Sequence, residues 1–292
     1  MTSLPNCSEE TLGSNSSGWL AGLELEFYVA EQKTVSRQVR HHGPLQTQRS
    51  FYPEGDDVCH TYILHPPGGV VGGDQLKIKV RMHEGANALV TTPAAGKFYR
   101  SAGSKSLVSQ KMIVGNNAVL EWLPQENIIY NQAKASQTTN IELGKNSCFL
   151  GWEICCLGLA ASKEPFEAGL FHQTFNVWQD GVPLLVERSC FETDSAMLKA
   201  AWGLRNCSVV GTLICSRIPN DKTKSLLNEI RSAVAAVTED DLFSVTTVSG
   251  MIVCRYLGDH AYKARKCFVV AWKILRESVL GRSACLPRIW NT

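Results

Sequence analysis

The sequence predicts a mainly β protein: a many-stranded coiled body, β-helix-like or barrel-like, with two or three helices near the C-terminal end. Three observations carry this. About ten segments with strand patterning precede residue 195, they recur at a spacing of about ten residues, and no helical pattern separates them. That rhythm argues for antiparallel or coiled β structure rather than βαβ units. The 23 glycines and 11 prolines supply the many turns it needs.

Taken in order, residues 1–18 are rich in Ser, Asn, Gly and Glu and read as a flexible leader, with one domain over 19–292. "LELEFYV" (23–29) and "QLKIKVRM" (75–82) alternate; the second sets Leu76, Ile78, Val80 and Met82 on one face and Lys77, Lys79 and Arg81 on the other. Both are half-buried strands. "HTYIL", "NALVTT", "AVLEWL", "NIIYN", "TTNIEL" and "CFLGWEICCL" follow, then "FHQTFNVW" and "PLLVERSCFE" with a hairpin signal at Asp180-Gly181. Helical periodicity comes late. "DKTKSLLNEIRSAVAAV" opens at a cap candidate, Asp221, and aligns Leu226, Leu227, Ile230, Val234 and Val237. "DHAYKARKCFVVAWKILRESVLG" repeats the device with Asp259 as cap, Ala264, Phe268, Ala271, Leu275 and Val279 as stripe, and Gly281 as stop. Between them "LFSVTTVSGMIVCRYLG" reads as a hairpin turning at Ser249-Gly250.

Composition narrows the function. Hydrophobic residues at 44% and charged residues at 19% describe a soluble globular chain. A net charge of +2 gives no field that implies nucleic acid or an anionic membrane. The longest apolar run, 147–161, is broken by Glu153 and falls short of the ~20 residues that span a bilayer. No secretory signal is visible at the start, and the 11 cysteines are scattered, with Cys155, Cys156, Cys190, Cys215, Cys254 and Cys267 inside apolar stretches. Reduced, buried thiols in a cytoplasmic protein are expected.

The stretch "LHPPGGVVGGDQLKIKV" (64–80) is the most unusual in the chain. Its glycines precede a strand, so the helix N-terminus that a dinucleotide fingerprint requires is missing. "AAGKFYRS" (94–101) likewise fails as a phosphate loop, because Thr91 stands at the first glycine position and Phe98 replaces Ser/Thr. Pro66 and Pro67 fix φ and extend His65, while Gly68, Gly69 and the second glycine pair permit positive φ. A rigid bend results, and it can hold His65 and Asp74 at a surface or channel. Cys59-His60 with His65, and His41-His42, match no structural zinc spacing, so no firm metal site is expected. Nor is there a GxSxG, an HExxH or a carboxylate pair at helical spacing. An enzyme reading would rest on His65, Asp74 and Lys97.

Seven collinear stretches then carry a likeness: "GPLQTQRSFYPE" (43–54), "YILHPPGGVVGGDQL" (62–76), "LVTTPAAGKFYRS" (89–101), "EWLPQENIIYNQA" (121–133), "GWEICCLG" (151–158), "DGVPLLVER" (180–188) and "PRIWNT" (287–292). In this order they resemble the urease accessory protein UreD family, called UreH in some organisms. The chain departs from it at Gln75 and Leu159, where the family often has Arg. The resemblance implies a coiled β body with a few helices and no catalysis. It implies binding to apo-urease and joint action with UreF and the GTPase UreG to deliver nickel, the ion passing through a water-filled passage.

Nickel in transit, with no tightly bound cofactor, needs weak and exchangeable oxygen ligands, so the lack of clustered Cys and His is expected and argues against a nickel store. Asp74, Glu153 and Glu187, three of the acids at motif positions, are the candidate path carboxylates, with His65 auxiliary. The alternative for each is a structural acid: Asp74 capping a turn, Glu187 paired near Arg188.

Overall fold

The computed structural model describes residues 18–159, 162, 164–218, 223–238 and 241–291. The Asp221 cap candidate and all of the predicted leader except Gly18 lie outside the described residues. The chain opens with a hairpin, β1 (Leu20–Ala30) and β2 (Lys33–His42), and after a short β3 (Gln46–Thr47) it begins to coil. The first coil is β4 (Cys59–Leu64) and β5 (Gln75–Met82); the second is β6 (Asn87–Thr91), β7 (Gly96–Phe98) and β8 (Ser106–Val114). The third is β9 (Val119–Leu123), β10 (Asn127–Ile129) and β11 (Lys134–Leu143); the fourth is β12 (Cys148–Leu159), β13 (Glu164–Pro165) and β14 (Leu170–Gln179). Strands β4, β6, β9 and β12 stack in parallel on one side, and β5, β8, β11 and β14 stack in parallel on the other. The body is therefore a solenoid, as the coiled reading expected, with antiparallel pairing confined to its ends.

Those ends finish the two sheets. β15 (Val182–Glu192) folds back on β14 through Asp180 and Gly181, at φ 50° and 76°, closing a seven-stranded sheet in the order β15-β14-β11-β8-β5-β1-β2. After α1 (Ala196–Lys199), β16 (Val209–Cys215) pairs antiparallel with β12. Then come α2 (Thr223–Ala235), the hairpin β17 (Leu242–Val248) and β18 (Met251–Gly258), turning at Ser249 and Gly250 as expected, and α3 (Ala261–Leu280). The second sheet runs β17-β18-β16-β12-β9-β6-β4-β3.

Two apolar cores follow from this layering. One lies between the sheets; the other lies between the second sheet and helices α2 and α3. β12 belongs to both, which is why its sequence reads as an unbroken apolar run and why every residue from Cys148 to Gly158 is buried. Strand alternation sends Cys155 into the inter-sheet core and its neighbour Cys156 into the helix-facing one. Every described cysteine is a free thiol. Cys190 is exposed, against expectation, because it sits on the outer face of the edge strand β15.

Helix α2 buries Leu226, Ile230 and Val234; α3 buries Ala264, Phe268, Ala271 and Leu275, adding Cys267, Trp272 and Arg276. Asp259 does not cap α3. His260 holds that position without a side-chain bond, and Asp259 Oδ1 instead accepts from the Ser208 backbone N–H at 2.9 Å. Gly281 ends the helix in the left-handed region, φ 66°, as its position predicts. Among the described residues, no helix is long and apolar enough to cross a membrane.

Candidate functional site

The interior between the sheets is not uniformly apolar. β8, β11 and β12 each turn polar groups inward: Gln110 on β8, Gln137 and Thr139 on β11, and Glu153 on β12, all buried. Glu153 is 3% exposed. Its Oε2 accepts from Gln173 Nε2 of β14 at 2.7 Å, and its Oε1 is in hydrogen-bond contact with Thr139 Oγ1, which also lies 3.1 Å from Gln110 Oε1. A hydroxyl has one proton to give and Thr139 faces two acceptors, so both contacts are hydrogen bonds when Glu153 itself carries a proton. Burial pushes the Glu153 carboxyl up in the same sense, against the hydrogen bonds from Thr139 and Gln173. Among the described residues no Lys, Arg or His forms an ion pair with it.

This carboxylate lines two cavities. The larger, about 680 Å³, lies between the free ends of the two sheets and is lined by Phe175, Glu187, Phe191, Val210, Phe243 and Arg255, with Trp202 and Leu242 exposed at its rim. The smaller, about 230 Å³, runs inside the coils to the corner that carries His65, Gly68, Gly69 and Lys97. Gln110, Asn127 and Gln137 line it, together with Trp122, whose buried Nε1 has no hydrogen-bond partner. Asn127 Nδ2 donates to Gln137 Oε1 at 2.9 Å. Among the described residues, Glu153 alone lines both cavities.

Glu187 faces into the larger cavity from β15 and forms an ion pair with Arg255 of β18, bridging the two sheets. Arg188 points to the opposite face, across from Thr174, so the pairing expected near Arg188 is made elsewhere. The Pro-Pro-Gly-Gly corner is a tight turn: the Gly68 N–H donates to the His65 carbonyl at 3.0 Å with Gly68 at φ 79°. A Cβ on Gly69 would stand 2.2 Å from the Tyr99 ring, so that glycine serves close approach. Asp74 is buried, and both its oxygens accept backbone N–H groups, from Trp19 at 2.8 Å and from Val71 at 2.9 Å. It pins the start of β1 to the corner. Burial pulls the His65 imidazole below its usual range, against the pull of Asp74. His65 and Lys97 share the smaller cavity, but Asp74 is not in its lining, so the three do not assemble as a site.

His60 is buried and contacts Glu54 Oε1 at 2.6 Å, whereas His41 and His42 are exposed. Among the described residues no three His, Cys, Asp or Glu side chains gather as a metal cluster.

Sequence reasoning missed a third buried carboxylate, Glu121 on β9. It accepts from Arg276 Nε at 2.9 Å and from Trp272 Nε1 at 2.7 Å, and Arg276 also grips Glu54 at 2.7 Å. This clasp joins α3 to the coils. The signals for it were a charged residue inside "VLEWL" and its place at the head of "EWLPQENIIYNQA", with a partner 155 positions away.

A model of the UreD urease accessory protein family matches residues 20–291. "Urease accessory protein UreD" of Dechloromonas aromatica is 41% identical over 280 residues, 95% of this chain and 96% of the relative. The protein of the same name from Saccharophagus degradans is 39% identical over 278 residues, covering 94% and 93%. "Urease accessory protein UreD 2" of Brucella anthropi is 41% identical over 277 residues, covering 95% and all of the relative.

Proposed function

The chain belongs to the UreD urease accessory protein family, and on that premise we propose that it is the subunit through which nickel passes to apo-urease, acting in the cytoplasm with UreF and the GTPase UreG. One observation carries the passage: Glu153 lines both cavities, buried, with neutral donors around it and no fixed countercharge. A divalent ion supplies that missing charge. The remaining ligands on offer are amide and hydroxyl oxygens of Gln110, Gln137 and Thr139, which hold nickel weakly enough to release it. Glu187 lies further along, in the larger cavity, where its exchangeable pairing with Arg255 can open to an ion. His65 stands at the other mouth. Asp74 serves this reading as the pin of the corner rather than as a ligand, because both its oxygens are taken.

An enzyme built on His65, Asp74 and Lys97 is disfavoured for the same reason, and the relatives are named as accessory proteins. The test uses cells with the cognate urease cluster, deleted for this gene and restored with wild type, Glu153→Gln or Glu187→Gln. Urease-bound nickel and co-purification with UreF are measured. Deletion is expected to leave urease empty, and Glu153→Gln to assemble with UreF yet leave it empty. Normal nickel in the deletion strain overturns the whole reading; normal nickel with both variants removes the passage and leaves the scaffold.

A further inference from the structure

The two sheets treat their outer faces differently. Helices α2 and α3 cover the second sheet, whereas among the described residues no helix packs on the outer face of the seven-stranded sheet. Strand register fixes what that face shows. Arg40, Glu24, Lys79, Lys111, Asn140 and Asn176 lie in one row across it. A second row holds Gly22, Lys77, Ser109, Thr138, Thr174 and Arg188, and a third Arg37, Glu26, Arg81, Ile113 and Glu142. Counted over these rows, seven Lys and Arg stand against three Glu, a net of +4, while the whole chain nets only +2. The face is basic, and all but one of its cations lie on β2, β5 and β8.

We infer that the outer face of β2, β1, β5 and β8 docks an acidic protein surface. The four strands spread the charge over roughly 15 Å, at one strand per ~4.8 Å, enough for the charged part of a protein contact rather than a whole interface. Charge complementarity names the occupant. Glu24 and Glu26 stand in the column between the cations of β2 and those of β5, paired with Lys79 at 2.5 Å and Arg37 at 2.7 Å. Such interleaving repels a continuous phosphate backbone but suits a partner of mixed, mainly acidic charge. Within these rows β2, β1 and β5 carry no apolar side chain, and the exposed Leu20 and Tyr28 on the same face of β1 stand one row beyond them at opposite ends. Arg40 and Lys77 form no ion pair among the described residues and are the cations freest to engage a partner. This inference stands apart from the nickel passage, which lies on the other side of the same sheet.

The test is binding of the full chain to three immobilised probes: poly-L-glutamate, duplex DNA of matched charge, and phosphatidylserine vesicles. Wild type is expected to bind polyglutamate in preference to the other two, and to weaken steeply as NaCl rises from about 0.05 to 0.3 M. Arg40→Glu/Lys77→Glu is expected to weaken polyglutamate binding roughly tenfold and flatten the salt dependence, with a thermal melt lowered only slightly, since no ion pair is lost but the new carboxylate at position 40 faces Glu24 across the strand pair. Arg40→Gln/Lys77→Gln, with a smaller change in charge, is expected to fall between. Equal binding by wild type and the reversed variant overturns the inference. So does stronger binding to DNA or vesicles, or no binding to polyglutamate.

Discussion

Glu121 and Glu153 are both buried, at 2% and 3% exposure, on neighbouring strands of the same sheet, yet their surroundings differ in one respect. Glu121 faces the helices and meets a guanidinium; Glu153 faces the coil interior and meets only a hydroxyl and amides. A carboxylate given a fixed countercharge is closed, because its geometry is already satisfied. One given only neutral donors beside open volume has room for a cation that comes and goes. The contrast separates the clasped acid from the candidate site acid better than burial does.

Removing the countercharge is the strongest way to break that contrast. Arg276→Met leaves Glu121 without its cation and Glu54 with His60 alone, and is expected to cost about 3–5 kcal/mol, read by denaturant unfolding. Adding Glu121→Leu to it should return part of the loss, since an apolar pair avoids the uncompensated charge. Asp74→Ala removes two charge-assisted bonds to backbone N–H and should cost about 1.5–3 kcal/mol, with a melt as the readout. Glu153→Gln should change stability by less than about 1 kcal/mol, because the amide still meets Thr139 and Gln173, while urease nickel loading is lost.

The pH profiles sharpen the same comparison. Burial raises the Glu153 carboxyl above 4.5, so the folded chain holds that proton longer than the unfolded one. Its contribution to stability therefore falls as pH climbs above 4.5 towards the folded value, and Glu153→Gln abolishes that fall. Glu54 behaves in the opposite sense. Burial pushes it up, but His60 and Arg276 hold it below 4.5, so its stabilisation is full above that pH and is lost as acid is added. Glu54→Gln should lose stability near neutrality and flatten the acid limb, as unfolding followed against pH would show.

Much of the fold was legible because alternation was clean where one face meets solvent, as in β1 and β5. β8 was passed over because Ser106 and Gln110 occupy its inward positions and blur the pattern. That same blur is the trace of the interior polar seam: polar residues at strand positions that should be apolar mark the site. Motif position singled out Glu153 but not Thr139, Gln110 or Gln173, since their meeting depends on parallel register between coils. The Asp259 cap was misread because Ser208, 51 residues earlier, competes for the same carboxylate. Glu187 was legible as an acid of interest, but its partner Arg255 lies 68 residues on.

The short turn at Arg288–Asn291 brings Trp290 back across the molecule. Its Nε1 donates to Thr91 Oγ1 at 2.9 Å, and its ring lies against Trp152 and Trp272. Each of those three partners leaves the ribosome before Trp290 does. The coils can stack vectorially as they emerge, one upon the last, but the keystone between the second coil, the fourth coil and α3 is laid only after all three exist. Trp290 is thus the last of the four groups to become available for that joint.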